Sequence, residues 1–144
     1  MPDTVLYYAV GPVHPRNLRL IASGLPAWDF KMVYEPDAHW MTDAALGAIP
    51  FEKIPLGKGA DPVAVDPRTV KAVVFSTIQP RRAPVALLKW VMQHGLTSIA
   101  IEESNQIALN DGVVNNYLLP INHLLVASPH EREGFIAAGV AADR

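Results

Sequence analysis

Residues Thr4–Val10 read TVLYYAV and Lys71–Ser76 read KAVVFS; both runs are β-branched, aromatic and almost wholly apolar. A strand with one wet face alternates apolar and polar residues, and these do not. They therefore read as strands buried on both faces, as in a parallel sheet. Leu124–Ala127, within HLLVA (His123–Ala127), has the same character and is expected to be a central parallel strand too.

Working outward from these runs, helix and strand signals alternate. Gly11-Pro12 ends the first strand, and Pro15 opens a helix over Arg16–Leu25 with Leu18, Ile21, Ala22 and Leu25 at helical spacing. DFKMVYE (Asp29–Glu35) is a second strand, after which Asp37 caps a helix over Ala38–Leu46 that Gly47 ends. Phe51–Leu56 is a short third strand, and Gly57–Pro67 is loop. After Lys71–Ser76 a helix runs from Pro80 to Gln93 with Val85, Leu88 and Met92 on one face, and Gly95 closes it. Ser98–Ile101 is a further strand, and Asn110-Asp111-Gly112 marks a turn inside the ambiguous stretch Asn105–Asn122. A final helix runs from Pro129 through Ala138, with Gly139 as its C-cap. Ser128 with Glu131 three residues on is a capping box, and no G-x-S-x-G elbow accompanies Ser128 and His130.

Strand–helix alternation with apolar strands predicts one α/β domain, a doubly wound parallel sheet of Rossmann-like type with helices on both faces. The size agrees, since 144 residues correspond to about one domain. Half the residues are hydrophobic, 18% are charged, and the mean hydropathy is +0.16, so a real core can form. The 13 prolines exceed the usual ~5% and punctuate the periodic segments.

Composition also excludes function classes. No apolar run approaches the ~20 residues of a membrane helix. Twelve basic against 14 acidic residues leave a net charge of −2, without the basic surplus of a general nucleic-acid binder. The chain has no cysteine, so thiol chemistry, disulfides and Cys-based zinc sites are absent, and a reducing cytoplasmic setting is expected. The five histidines are dispersed, with no H-x-x-x-H or H-E-x-x-H pattern, so no metal site is expected. The first loop lacks G-x-G-x-x-G, so no dinucleotide cofactor is expected either.

In an open parallel sheet, ligands bind outside the carboxyl ends of the strands. That points to Gly11–His14, Glu35–Asp37, Ser76–Gln79, Glu102–Asn105 and Ser128–Glu131. His14 is a titratable imidazole beside a helix start: it either serves a ligand or caps the helix. Glu102 and Glu103 can accept sugar hydroxyls or act as a general base, or else cap the next turn; adjacent strand residues face opposite ways, so at most one reaches a cleft. Gly11, Arg16, Ser76 and Asn105 complete the candidate set as substrate contacts, with His14, Glu102 and Glu103 as its catalytic members. Arg81-Arg82 is a modest phosphate candidate, while Trp28, Trp40 and Trp90 read as core or interface.

GPVHPRNLRLIASGL (Gly11–Leu25) and HLLVASPHEREGFIAAGV (His123–Val140) resemble the N-terminal half of a GT-B-type glycosyltransferase, near the CDP-glycerol glycerophosphotransferases and UDP-N-acetylglucosamine 2-epimerases. The matching features are a first loop with Gly and His, a helix ending in Ala22-Ser23-Gly24-Leu25, and a late strand–Ser–helix–Gly-Val pattern. Two departures stand out: His123 and Leu124 occupy a place often acidic, and Ile101-Glu102-Glu103-Ser104 replaces a histidine-bearing element. The resemblance implies the acceptor-side domain of a transferase of cell-surface polysaccharide biosynthesis, inactive by itself. Its partners would be a sugar or polyol-phosphate acceptor and, through a second domain not present here, a nucleotide-sugar donor. The alternative is a non-catalytic module that binds a small ligand or pairs with a subunit, a second copy of the chain included.

Overall fold

Six parallel strands make the main sheet in a computed structural model that describes residues 3–11, 14–40, 42, 44, 47–76, 78, 83–101, 109–110, 113–114, 121–126 and 128–144. In chain order the elements are β1 (Thr4–Ala9), α1 (His14–Gly24), β2 (Asp29–Tyr34), β3 (Glu52–Pro55), a 3-10 turn (Pro67–Thr69) and β4 (Val70–Phe75). They continue with α2 (Val85–Gln93), β5 (Thr97–Ile101), β6 (Leu109–Asn110), β7 (Val113–Val114), β8 (His123–Leu125) and α3 (Pro129–Ala137). The sheet order is β3-β2-β1-β4-β5-β8, and every pairing in it is parallel. The chain thus starts mid-sheet, winds outward to β3, and resumes on the other side of β1. This is the doubly wound, Rossmann-like α/β order expected from the sequence.

All six residues of β1 are buried. Val5, Tyr7 and Ala9 join a core cluster with Leu18 of α1 and with Phe30 and Met32. Leu6 and Tyr8 join the other, with Leu87, Leu88, Trp90 and Val91 of α2 and Phe135 of α3. The alternation of strand side chains produces this division. It also sets which polar groups meet at the end of the sheet.

Four expectations need correction. The Leu124–Ala127 run does not supply a central strand: β8 (His123–Leu125) is parallel but forms the edge of the sheet, with Leu125 54% exposed, and Ala127 lies outside the described residues. An apolar run reports affinity for a core, and a short edge strand satisfies it on one side only. The helix placed from Pro80 starts at Val85, because Ala83 and Pro84 are not helical and Pro84 stands at the N-cap; residues 79–82 lie outside the described set. Its buried stripe is Leu87, Leu88, Trp90 and Val91, whereas Val85 and Met92 are exposed, so the packed face is rotated from Val85–Leu88–Met92. Tryptophan carries the largest apolar area and turns inward. The helix expected from Ala38 does not begin there: residues 36–37 and 39–40 are turns, and the Ala38 amide donates to the Glu35 carbonyl at 3.1 Å. Part of the remaining stretch, 41, 43 and 45–46, lies outside the described residues.

Other local signals hold. Pro55 sits in β3, an edge strand, where a missing amide is tolerated. β6 and β7 pair antiparallel across the Asn110-Asp111-Gly112 signal. The Ser128 hydroxyl accepts from the Glu131 amide at 3.2 Å and caps α3. No helix among the described residues is long and apolar enough to cross a membrane.

Candidate functional site

The break in strand order lies between β1 and β4, and the residues following these strands face each other there. His14 opens α1 yet is only 3% exposed. Its Nδ1 accepts hydrogen bonds from the amides of Val10 and Gly11, both at 2.8 Å. The Ser76 hydroxyl lies 2.9 Å from the same nitrogen. With two amide N–H groups converging on Nδ1, that nitrogen carries no proton, so the imidazole is the Nε2–H tautomer and Ser76 donates to it. Strand periodicity explains the meeting. Val74 packs in the cluster that holds Leu18 of α1, and Ser76, two residues on, leaves the sheet on that same side.

A serine donating to a histidine invites comparison with an activated nucleophile. The geometry argues against it here. The single lone pair that would take the serine proton is shared with two backbone amides, which makes it a poor base, and Ser76 is only 2% exposed. Through Nδ1, His14 instead braces the turn that joins β1 to α1, a turn also closed by its own amide donating to the Gly11 carbonyl at 3.2 Å. Gly11 is not required by crowding, since an added Cβ would meet only the His14 ring, at 3.8 Å. Arg16 is exposed on the first turn of α1.

A second polar pair stands at this edge, and the sequence reading marked its neighbourhood without singling it out. The Tyr8 phenol donates to Glu35 Oε1 at 3.0 Å. In the β1–β2 register Tyr8 lies opposite Val33, and Glu35 follows two residues later on the same face. Burial and then the nearby carboxylate push the phenol far above its ordinary pKa, so it remains a hydrogen-bond donor. Glu35 is half-buried. The available signal was a tyrosine near the end of one strand and an acidic residue just past the next.

Glu102, Glu103 and Asn105 lie outside the described residues, as do Arg81 and Arg82. The position of β5 still bears on the first two. It pairs with β4 and not with β1, so its carboxyl end is two strand spacings, about 10 Å, from that of β1. Ser76, at the intervening strand, is what reaches His14.

Two hollows lie at the opposite, amino edge. One of about 640 Å³ runs past Asp29, Lys31, Glu52, Asp66 and Arg68. Its charges pair among themselves, Lys31 with Glu52 at 2.8 Å and Arg68 with Asp66 at 2.7 Å, which leaves a neutralised surface. The other, about 710 Å³, is lined by Ser98, Asn122, His123, Asp143 and Arg144. Ser98 and Asn122 satisfy each other there, the Ser98 amide and hydroxyl donating to Asn122 Oδ1 and the Asn122 amide to Ser98 Oγ. The described residues contain no cluster of three or more His, Asp or Glu side chains able to hold a metal. Of the three tryptophans, Trp90 is core, Trp40 packs half-buried against the α1-side cluster, and Trp28 is 39% exposed.

Comparison with known proteins finds no matching family model, no matching curated protein and no matching solved structure.

Proposed function

We propose that this chain is the acceptor-side, Rossmann-like half of a GT-B-type transferase that acts on sugar or polyol-phosphate acceptors in cell-surface polysaccharide assembly. The observation that carries the reading is the strand order β3-β2-β1-β4-β5-β8, whose break between β1 and β4 gathers Gly11, His14 and Ser76 at the carboxyl edge, with Glu35 one strand away. In such sheets the crevice at this break is where ligands bind. The residue types suit hydroxyl-rich ligands: a carboxylate accepts from hydroxyls, and the turn braced by His14 brings the N-terminus of α1 to the same edge. In this reading the nucleotide-sugar donor is held by a second domain, and His14 acts by shaping the turn. The sequence resemblance in Gly11–Leu25 and His123–Val140 supplies the transferase class.

The test is an NMR titration of the isotopically labelled chain with sn-glycerol 3-phosphate. Shifts confined to the amides of Gly11, His14, Glu35 and Ser76 are expected. Shifts confined to the amino edge, at Asp29, Glu52 and Val70, or none at all, would overturn the reading.

A further inference from the structure

We propose that Glu35 is the hydroxyl-recognising carboxylate of this edge, that Tyr8 positions it, and that it takes a vicinal diol of a sugar or polyol. The inference rests on the reading above and deepens it.

A buried phenol needs a hydrogen-bond acceptor, but a neutral carbonyl would serve without drawing a charged group partly out of water. Here the acceptor is a carboxylate, and its only side-chain partner among the described residues is that phenol. No lysine or arginine pairs with it among those residues, whereas Lys31, Arg68 and Lys71 each pair with an aspartate or glutamate at the amino edge. A carboxylate has about four lone-pair sites across two oxygens, and Tyr8 fills one on Oε1. Acceptor capacity therefore remains, on a side chain fixed by a donor rooted in the fully buried β1. Two adjacent hydroxyls donating to two carboxylate oxygens is the arrangement that uses it.

Position agrees with chemistry. Glu35 is the first residue past β2, next to β1 and on the same edge as the His14 turn. An acidic residue about 20 residues after the first turn of a doubly wound sheet is placed to meet ribose-type hydroxyls, and Glu35 follows that turn at comparable spacing. The glycine fingerprint is absent, so a dinucleotide pyrophosphate has no cradle. What remains is recognition of the diol itself.

The experiment compares two probes on the full chain by titration calorimetry. sn-Glycerol 3-phosphate carries the vicinal diol, and 3-hydroxypropyl phosphate is the same length and charge without it. The expected result is about tenfold tighter binding of the glycerol compound, since hydrogen bonds to a charged group are the strong ones. Glu35→Gln should shrink that preference to within about twofold. Tyr8→Phe keeps the carboxylate and removes its anchor, so the preference should fall part of the way, an effect that loss of stability alone would not produce. Equal binding of the two probes to the unaltered chain, or a tenfold preference that survives Glu35→Gln, overturns the role of Glu35 and leaves the edge reading standing. Binding of neither probe overturns both.

Discussion

The Ser76 hydroxyl lies 2.9 Å from His14 Nδ1 across 62 residues of chain, and that nitrogen also holds the amides of Val10 and Gly11. One imidazole thus ties the end of β4 to the turn between β1 and α1, where the strand order breaks. Its effects should be readable as stability.

His14→Ala strands two amide donors in a part-buried turn, and is expected to lower unfolding free energy by about 1–3 kcal/mol in urea titration. His14→Asn should recover part of the loss, because Asn Oδ1 occupies roughly the place of Nδ1 and accepts from the same amides. His39 is exposed, and His39→Ala should stay within about 0.5 kcal/mol. Equal small effects from His14→Ala and His39→Ala would refute the bracing role.

Ser76→Ala removes one hydrogen bond and is expected to cost about 1 kcal/mol. Because both side chains share Nδ1, the Ser76→Ala/His14→Ala pair should be non-additive by at least about 0.5 kcal/mol in a double-mutant cycle. Simple additivity would mean that the contact contributes nothing.

Alkaline stability should report on Tyr8. Its folded pKa lies above the unfolded value near 10, through burial first and Glu35 second, so the folded state keeps its proton where the unfolded chain loses one. That stabilisation is complete below about pH 10 and declines as pH rises beyond it. Tyr8→Phe should therefore flatten the fall in unfolding free energy above about pH 10, by up to roughly 1.4 kcal/mol per pH unit. An unchanged slope in the variant would contradict the assignment.

At the amino edge, Asp66 is held down to about 2 by the Arg68 guanidinium and the Arg68 amide that it accepts from. Its contribution is present above the ordinary value of 3.8 and is lost as pH falls through about 2. Arg68→Ala should move the Asp66 carboxyl midpoint, followed by carbon-detected NMR, back towards 3.8, with the retained amide donor keeping part of the shift. High salt should move it the same way in the unaltered chain, because the pair is exposed. A midpoint indifferent to both would rule out the pairing.

Two glycines should behave oppositely. Gly139 has φ +105°, so Gly139→Ala is expected to cost about 1–3 kcal/mol in urea unfolding. Gly11→Ala places its Cβ at ordinary contact distance from the His14 ring and should change stability by less than about 0.5 kcal/mol. The reverse ranking would show that the first turn needs its glycine.

Much of the fold was legible because apolar patterning is local. TVLYYAV and KAVVFS announced buried parallel strands, and they became β1 and β4 at the centre of the sheet. HLLVA carried the same signal and became an edge, because a run of side chains records affinity for a core without saying how many neighbours the strand has. In α2, periodicity predicted a helix but placed Met92 on the buried face, since several apolar stripes compete and the partner surface selects among them.

By itself, then, the sequence determined the α/β class, the alternation of elements, the Ser128 cap and the set of loops at the carboxyl edge, all of which follow from spacings within a few residues. It named His14 and Ser76 separately, as members of different loops. Only the tertiary structure decided that they touch, that His14 Nδ1 is taken up by backbone amides, and that Tyr8 reaches Glu35 through the β1–β2 register. Those facts depend on which strands become neighbours and in what register. Both are settled when the whole sheet buries its two faces at once, a condition that no single segment contains.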